Sequence, residues 1–381
     1  RQDTVSRFTE TKSAAELADD FTDLLDEFTA WLKLRSDIIK QRNASIATLK
    51  FPFPQYRTGQ HEFAAAVYKA IYSRARLFVQ APTGTGKTIS TLFPTIKAMG
   101  SGLIQRAFYL TAKQSTRRVA EQAIALMADV GLRAKSITLT AKDTITFADE
   151  PDDPSQNPYM LGYYDRLKPA LHDLLEYEDQ LTRSVIESYA RKHTLDPFEF
   201  SLDASLFCDV VICDYNYLFN PLVFLQRFFS EADDSQFFLV DEAHNLVSRA
   251  RDMYTASLTN QDFINLKQAL APFKGTALTK VRRTMTRIVT TMNTLADQLL
   301  NGQSLIFQAA PLDDLAQVLT RFTETVHDWL AEPPTPALQP AVELVLPVFF
   351  LANQYLRIGD FYDNTFKTEI AKEHDTIMIK M

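Results

Sequence analysis

The stretch Ala81-Pro82-Thr83-Gly84-Thr85-Gly86-Lys87-Thr88 strings together two glycines, a lysine and a hydroxyl, the residue types that wrap a phosphate. Gly84 and Gly86 permit backbone angles closed to other residues and leave no Cβ between the N–H groups and an oxyanion. Lys87 can reach the β- and γ-phosphates of a nucleotide, and the Thr88 hydroxyl can ligate Mg²⁺. The loop lacks the first glycine of the full G-x-x-x-x-G-K-[ST] pattern, because Ala81 stands there. A second cluster, Asp241-Glu242-Ala243-His244, follows an apolar run. Asp241 suits the water shell of the metal, and Glu242 suits orienting and deprotonating an attacking water. His244 suits sensing the γ-phosphate. Upstream, Gln60 in Arg57-Thr58-Gly59-Gln60 carries an amide donor and acceptor that match the N6/N7 edge of adenine.

These groups act together only if elements hold them at one place. Short apolar runs at Leu77–Gln80, Ala107–Leu110, Ser136–Leu139, Asp209–Ile212 and Phe237–Val240 alternate with helical stretches, a helix following the glycine loop from Thr88. Continuous apolar strands separated by helices predict an α/β domain, a parallel sheet covered on both faces, with the reactive residues at strand ends. An insertion rich in Tyr, Asp and Pro, Ala141 to Leu206, interrupts it. From Leu246 to Asp360 the pattern is almost purely helical, broken at Gly275, Gly302 and Pro333-Pro334. Before all this, Leu17, Phe21, Leu24, Phe28 and Trp31 recur at helical spacing, predicting one packing helix or two, ended by Phe51-Pro52-Phe53-Pro54. The expected domains are therefore a helical segment over 1–50, a nucleotide-binding domain over 51–140 and 207–245, an insertion over 141–206, a helical domain over 246–360, and 361–381 as a strand returning to the first domain.

Composition narrows the class. The 381 residues are 46% hydrophobic with 27 Phe and 14 Tyr, enough for packed cores and more than one hydrophobic core usually organises. Apolar runs such as Leu344–Leu351 are far shorter than the roughly 20 residues a bilayer needs, so no membrane span is expected. A net charge of −7 is no footprint of a wholesale polyanion binder, and any nucleic-acid contact must be local. Two cysteines cannot frame a disulfide scaffold, which favours a reducing cytoplasmic or nuclear compartment. The start at Arg1 and the strand-like Thr376–Lys380 before Met381 read as a piece of a longer protein.

With Tyr56–Gln60, Ala81–Thr88, Ala107-Phe108-Tyr109-Leu110-Thr111, Val211–Phe219 and Asp241–His244 together, the sequence resembles a superfamily 2 DEAH-box DNA helicase of the DinG/XPD-like family over most of Phe51–Arg251. The string Cys213-Asp214-Tyr215-Asn216-Tyr217-Leu218-Phe219 distinguishes that branch. The resemblance implies an ATP- and Mg²⁺-driven translocase on single-stranded or forked DNA, built from two RecA-like domains. An iron–sulfur insertion (here 141–206) and a helical arch (here 246–360) would interrupt the first. It also implies nucleotide contacts from Arg57, Gln60 and Pro82 to Thr88, and metal contacts from Thr88 and Asp241. Catalytic roles would fall to Lys87, Asp241, Glu242 and His244. The family's cluster cysteines would fall near Thr146, Asp152, Asn157 and Asp196, none a thiol, whereas a cubane needs four thiolates. No iron–sulfur cluster is expected. Phe147, Tyr159, Tyr163, Tyr164 and Phe198 are expected to hold the insertion instead.

The resemblance also implies a DNA path past Thr111, Lys113, Tyr215, Asn216 and Tyr217. In the helical region Lys280, Arg283 and Arg287 share a helix face beside Arg282, the spacing of a phosphate-contacting strip. The second motor domain and its arginine finger would lie beyond Met381. The chain alone, expected to be monomeric, would then bind ATP weakly and hydrolyse it poorly. Two other readings remain: an ATPase that remodels nucleoprotein or drives an attached nuclease without unwinding, and a non-enzymatic DNA clamp.

Overall fold

Short runs of Val, Ile, Phe and Tyr form strands β1 (Arg106–Leu110), β2 (Ser136–Thr138), β3 (Gln180–Leu181), β4 (Val210–Cys213) and β5 (Gln236–Val240). They pair in parallel in the order β3-β2-β4-β1-β5. The computed structural model describes residues 9–82, 84–151, 156–223, 225–229, 235–331 and 335–381. Thr83, Asp152, Asp153 and Pro333-Pro334 lie outside them. The chain divides into two units, Arg1–Tyr215 with Gln226–Ala243, and Asn216–Leu225 with His244–Met381.

In the first unit, side chains alternate across the sheet. Tyr109, Val210 and Ile212 pack against Ile89, Leu92 and Ile96 of the helix Lys87–Gly100 and against Ala120, Ile124 and Met127 of the helix Gln114–Asp129. On the other face Phe108 stacks on Phe238 at 5.3 Å and meets Phe228 edge-on at 5.4 Å. Each fully buried Leu, Ile or Phe contributes roughly 1.5–3 kcal/mol. The register sets Leu110 beside both Cys213 and Val240, so three strands end level and Thr111, Asp214 and Asp241 follow at one edge.

Three expectations change here. Leu77–Gln80 is extended but pairs with no described strand, and Phe78 is 89% exposed. An apolar run becomes a strand only when a neighbour completes its ladder. The N-terminal segment is a single helix, Ala14–Thr48, opened by a Ser13/Glu16 capping box. Its stripe packs only from Trp31 onward, where Trp31 stacks on Phe207 at 5.5 Å, whereas Leu17, Phe21, Leu24 and Phe28 are exposed. In the insertion Tyr159 and Tyr163 are buried as expected, but Tyr164 is 73% exposed and Phe200, not Phe198, is the fully buried phenylalanine.

The second unit is more than helices. Strands β6 (Ser257–Thr259), β7 (Leu305–Gln308), β8 (Thr368–Glu373) and β9 (Thr376–Lys380) form an antiparallel sheet in the order β6-β9-β8-β7. The tail 361–381 thus closes this sheet rather than returning to the first, because Ile370, Ile377 and Ile379 share its core with Leu258, Phe263 and Phe322. Leu278, Val281, Met285, Ile288 and Met292 form the buried stripe of the helix Thr276–Leu300 at helical spacing. Among the described residues one helix, Gln339–Gly359, is long and apolar enough to cross a bilayer, longer than the short apolar runs suggest. Its Ala341, Val345, Ala352, Tyr355 and Ile358 are buried in this unit's core.

Candidate functional site

The carboxyl ends of β1 and β5 and the amino end of the helix Lys87–Gly100 form one corner of the first unit. Gly84 and Gly86 have φ of 79° and 78°, angles that other residues adopt with strain. Open space surrounds the position where Gly84 would carry a Cβ, whereas one on Gly86 would lie 2.2 Å from Gln60 Nε2. The loop is braced from behind. The Arg57 guanidinium donates to the Gly84 carbonyl at 2.5 Å, and the Gln60 amide nitrogen donates to the Thr85 carbonyl at 2.8 Å. The Gln60 amide oxygen accepts from the Arg57 backbone N–H at 2.7 Å, and the side chain is buried. Both ends of that amide are engaged, so in this state Gln60 sets the shape of the loop. Pro82 accepts from the Thr85 hydroxyl at 2.9 Å, tightening the turn.

The Lys87 ammonium lies 2.8 Å from Glu242 Oε1. Glu242 has φ of 50°, a left-handed angle that costs a non-glycine residue roughly 1–3 kcal/mol and collects at functional sites. Tyr215 holds this turn: fully buried, its hydroxyl donates to the Asp241 carbonyl and lies 3.1 Å from that of Glu242. A second buried tyrosine completes the corner. The Tyr109 hydroxyl is 3.3 Å from Thr88 Oγ1 and lies near enough to the Asp241 carboxylate to stabilise its charge. Burial raises the Asp241 pKa above the usual carboxylate range, and Glu242 adds to it, while Tyr109 and Lys87 pull it back down.

The arrangement differs from expectation in its tyrosines and in Thr111. Tyr215 is structural, since a wholly buried ring cannot stack on a base. Thr111 is buried too, with its hydroxyl bonded to Thr116 and its N–H to Cys213. Lys113 is exposed at the start of the helix Gln114–Asp129. Asn216 and Tyr217, in the short helix Asn216–Phe219, and His244, in the turn Ala243–Asn245, belong to the second unit. Lys280, Arg283 and Arg287 are exposed on the helix Thr276–Leu300 of that unit. Tyr109 is the residue that sequence reasoning missed. The available signal was a phenol at the strand position just before Leu110-Thr111, in a run whose other members are apolar.

A carboxylate, a hydroxyl and an ammonium around a glycine turn make up the donor set of a magnesium triphosphate. Among the described residues no three or more His, Cys, Asp or Glu side chains gather as a metal centre. Thr88 and Asp241 alone would leave such an ion mostly water-bound, as suits Mg²⁺. Cys208 and Cys213 are buried and their thiols raised by that burial, as in core packing. At three of the positions where thiols would stand, local hydrogen bonds form instead. Thr146 donates to the Lys142 carbonyl, Asn157 accepts from the Tyr159 N–H, and Asp196 caps the helix Pro197–Ser205.

Two family matches cover this region: residues 61–151 match the DEAD/DEAH box helicase family and residues 163–263 the DEAD_2 family. The chain is 22% identical over 248 residues to the general transcription and DNA repair factor IIH helicase subunit XPD/RAD3 of Saccharomyces cerevisiae, covering 55% of this chain and 31% of that protein. It is 18% identical over 314 residues to the XPD subunit of Arabidopsis thaliana, covering 71% of this chain and 41% of the relative. It therefore spans less than half the length of either. A solved XPD helicase structure is 13% identical at a TM-score of 0.49, over 86% of this chain and 54% of the other.

Proposed function

We infer that this chain, which belongs with the XPD-like superfamily 2 helicases through its DEAD/DEAH and DEAD_2 segments, supplies the phosphate-binding half of an ATP-driven motor on single-stranded DNA. The observation that carries the reading is the meeting of Lys87 with Glu242 at 2.8 Å, with Thr88 3.3 Å from the Tyr109 hydroxyl and Asp241 next to Glu242 in sequence. Two sequence-distant segments, a phosphate loop and an acidic pair, face one small volume.

Bound Mg²⁺ would neutralise charge on the triphosphate; Thr88 and Asp241 would hold it. The backbone N–H groups of Gly84 to Lys87 and the helix they open favour an anion. Lys87 turns from Glu242 toward phosphate, which frees the Glu242 carboxylate to accept a proton from water. Arg57 and Gln60 keep the loop in its left-handed turns meanwhile. His244 senses the γ-phosphate. In the first unit, exposed Lys113 contacts the DNA strand; in the second, Asn216 and Tyr217 are further contacts. The insertion keeps its shape without a metal, through Arg191, which lies 3.7 Å over the Phe147 ring and pairs with Asp149 at 2.6 Å.

The test is hydrolysis of ATP by the full-length protein, with and without single-stranded DNA and with a tailed duplex. Stimulation by the strand, lost about 10²-fold or more in Lys87→Ala, together with strand separation, is the expected result. Stimulation without separation would select the remodelling motor. Hydrolysis unaffected by Lys87→Ala would end the reading.

A further inference from the structure

In the second unit the helices Thr276–Leu300 and Asp313–Ala331 pack through buried Val281, Met285 and Ile288 against Leu315, Leu319 and Phe322. Outside this seam runs an open groove of about 840 Å³. Lys280, Arg283 and Arg287 line one wall and Arg321 the other, all four exposed. Among the described residues no carboxylate and no aromatic ring lines it. Threonines make up most of the remaining lining, but the hydroxyls of Thr284, Thr286, Thr290 and Thr325 donate to backbone carbonyls of their own helices. The charged donors facing the groove are therefore the four cationic side chains, with the Thr291 hydroxyl beside them. Arg282 is excluded: its guanidinium donates to the Leu270 and Phe273 carbonyls and fastens the preceding loop.

Four exposed cations without a facing carboxylate, in a chain of net charge −7, make a local positive field that attracts an anion. Their spacing describes it. Positions 280, 283 and 287 spread charge over about 10 Å of helix at 1.5 Å per residue, a row rather than a cup, which suits a chain of phosphates and not a single one. Single strands are held by aromatic faces as well as cations, and this groove offers no such face. A duplex presents phosphates outward with its bases stacked inside, and positioning contacts to it need nothing but donors.

We propose that this groove binds the sugar–phosphate backbone of double-stranded DNA, giving the helical unit a foothold on the duplex arm that takes no part in the nucleotide site. Arg321, from the second helix, makes the strip two-sided and fixes the direction from which the backbone enters. The proposal rests on the DNA-motor reading, but its test separates the two.

Binding of the full-length protein to a blunt 20-base-pair duplex and to an oligothymidine of similar length would be followed by anisotropy across a salt series. In Lys280→Ala/Arg283→Ala/Arg287→Ala/Arg321→Ala, duplex affinity should fall at least tenfold, and the slope of log K against log salt should flatten by about 3 to 4, near 0.9 per phosphate contact. Oligothymidine affinity and strand-stimulated ATPase should change less than about twofold, with the salt law identifying charge as the cause. The all-lysine variant of the three arginines keeps the charge and should keep the duplex slope, which distinguishes lost contacts from lost folding. An unchanged duplex slope in the alanine variant, or an equal loss on oligothymidine, would overturn the proposal. Absence of strand-stimulated ATPase in the unaltered protein would instead remove the motor reading and leave the duplex result standing.

Discussion

Tyr109 links the two halves of the nucleotide corner through one hydroxyl, beside Thr88 Oγ1 on one side and the Asp241 carboxylate on the other. Its burial raises the phenol pKa, so it stays protonated at working pH and keeps a proton to offer the nearby carboxylate. A partner that orients a metal-binding carboxylate typically contributes roughly 10–100-fold in affinity or activity. Tyr109→Phe keeps the ring packing and removes only the hydroxyl. The expected outcome is an increase of about tenfold in the Mg²⁺ concentration giving half-maximal ATPase, with little change in thermal stability. A magnesium titration that coincides with that of the unaltered protein would reduce Tyr109 to core packing. The glycines, lysine and acidic pair announce themselves by type and order, whereas Tyr109 does so only once β1 and β5 lie side by side.

At the scale of elements, the insertion shows what holds a loop that has no thiols. The Arg191 guanidinium sits over Phe147, is bonded to Tyr159, and forms a two-pronged pair with Asp149. Hydrogen bonding from Arg191 brings the Asp149 pKa down from 3.8 to about 2. A depressed carboxyl supports the fold above its unfolded pKa and loses that support as pH falls through its folded value. The melting-temperature gap between the unaltered protein and Asp149→Asn should therefore be present near roughly pH 5 and close between about pH 4 and pH 2. A gap that persists unchanged to pH 2 would mean that the pair does not hold the insertion. Four of the five apolar runs were readable as strands because each has at least one neighbour to complete a ladder, β5 at the sheet edge pairing with β1 alone. Leu77–Gln80 has the same composition and no ladder partner, a fact about tertiary context that no local pattern carries. The tail strand at 376–380 was readable as a strand, but its sheet was not, since β6 and β7 are short pieces inside a helical stretch.

Across the whole molecule, charge and packing divide the work. The first unit brings a phosphate loop and an acidic turn together across 155 positions of sequence. The second builds its own core and its own strip of unopposed cations. Order and spacing made the nucleotide corner readable, but Gln60 as a brace and Tyr215 as a buried strut required the packed neighbours. The central claim is that Lys87 exchanges Glu242 for phosphate and that Glu242 then serves the attacking water. Single-turnover hydrolysis by the full-length protein, followed over a range of ATP concentrations, measures affinity and rate at once. Glu242→Gln releases the lysine from a partly exposed ion pair, so affinity should hold or tighten by up to about fivefold, the scale of such pairs. Its hydrolysis rate should fall about 10²- to 10⁴-fold. A Glu242→Gln protein that hydrolyses bound ATP at the unaltered rate would contradict the account.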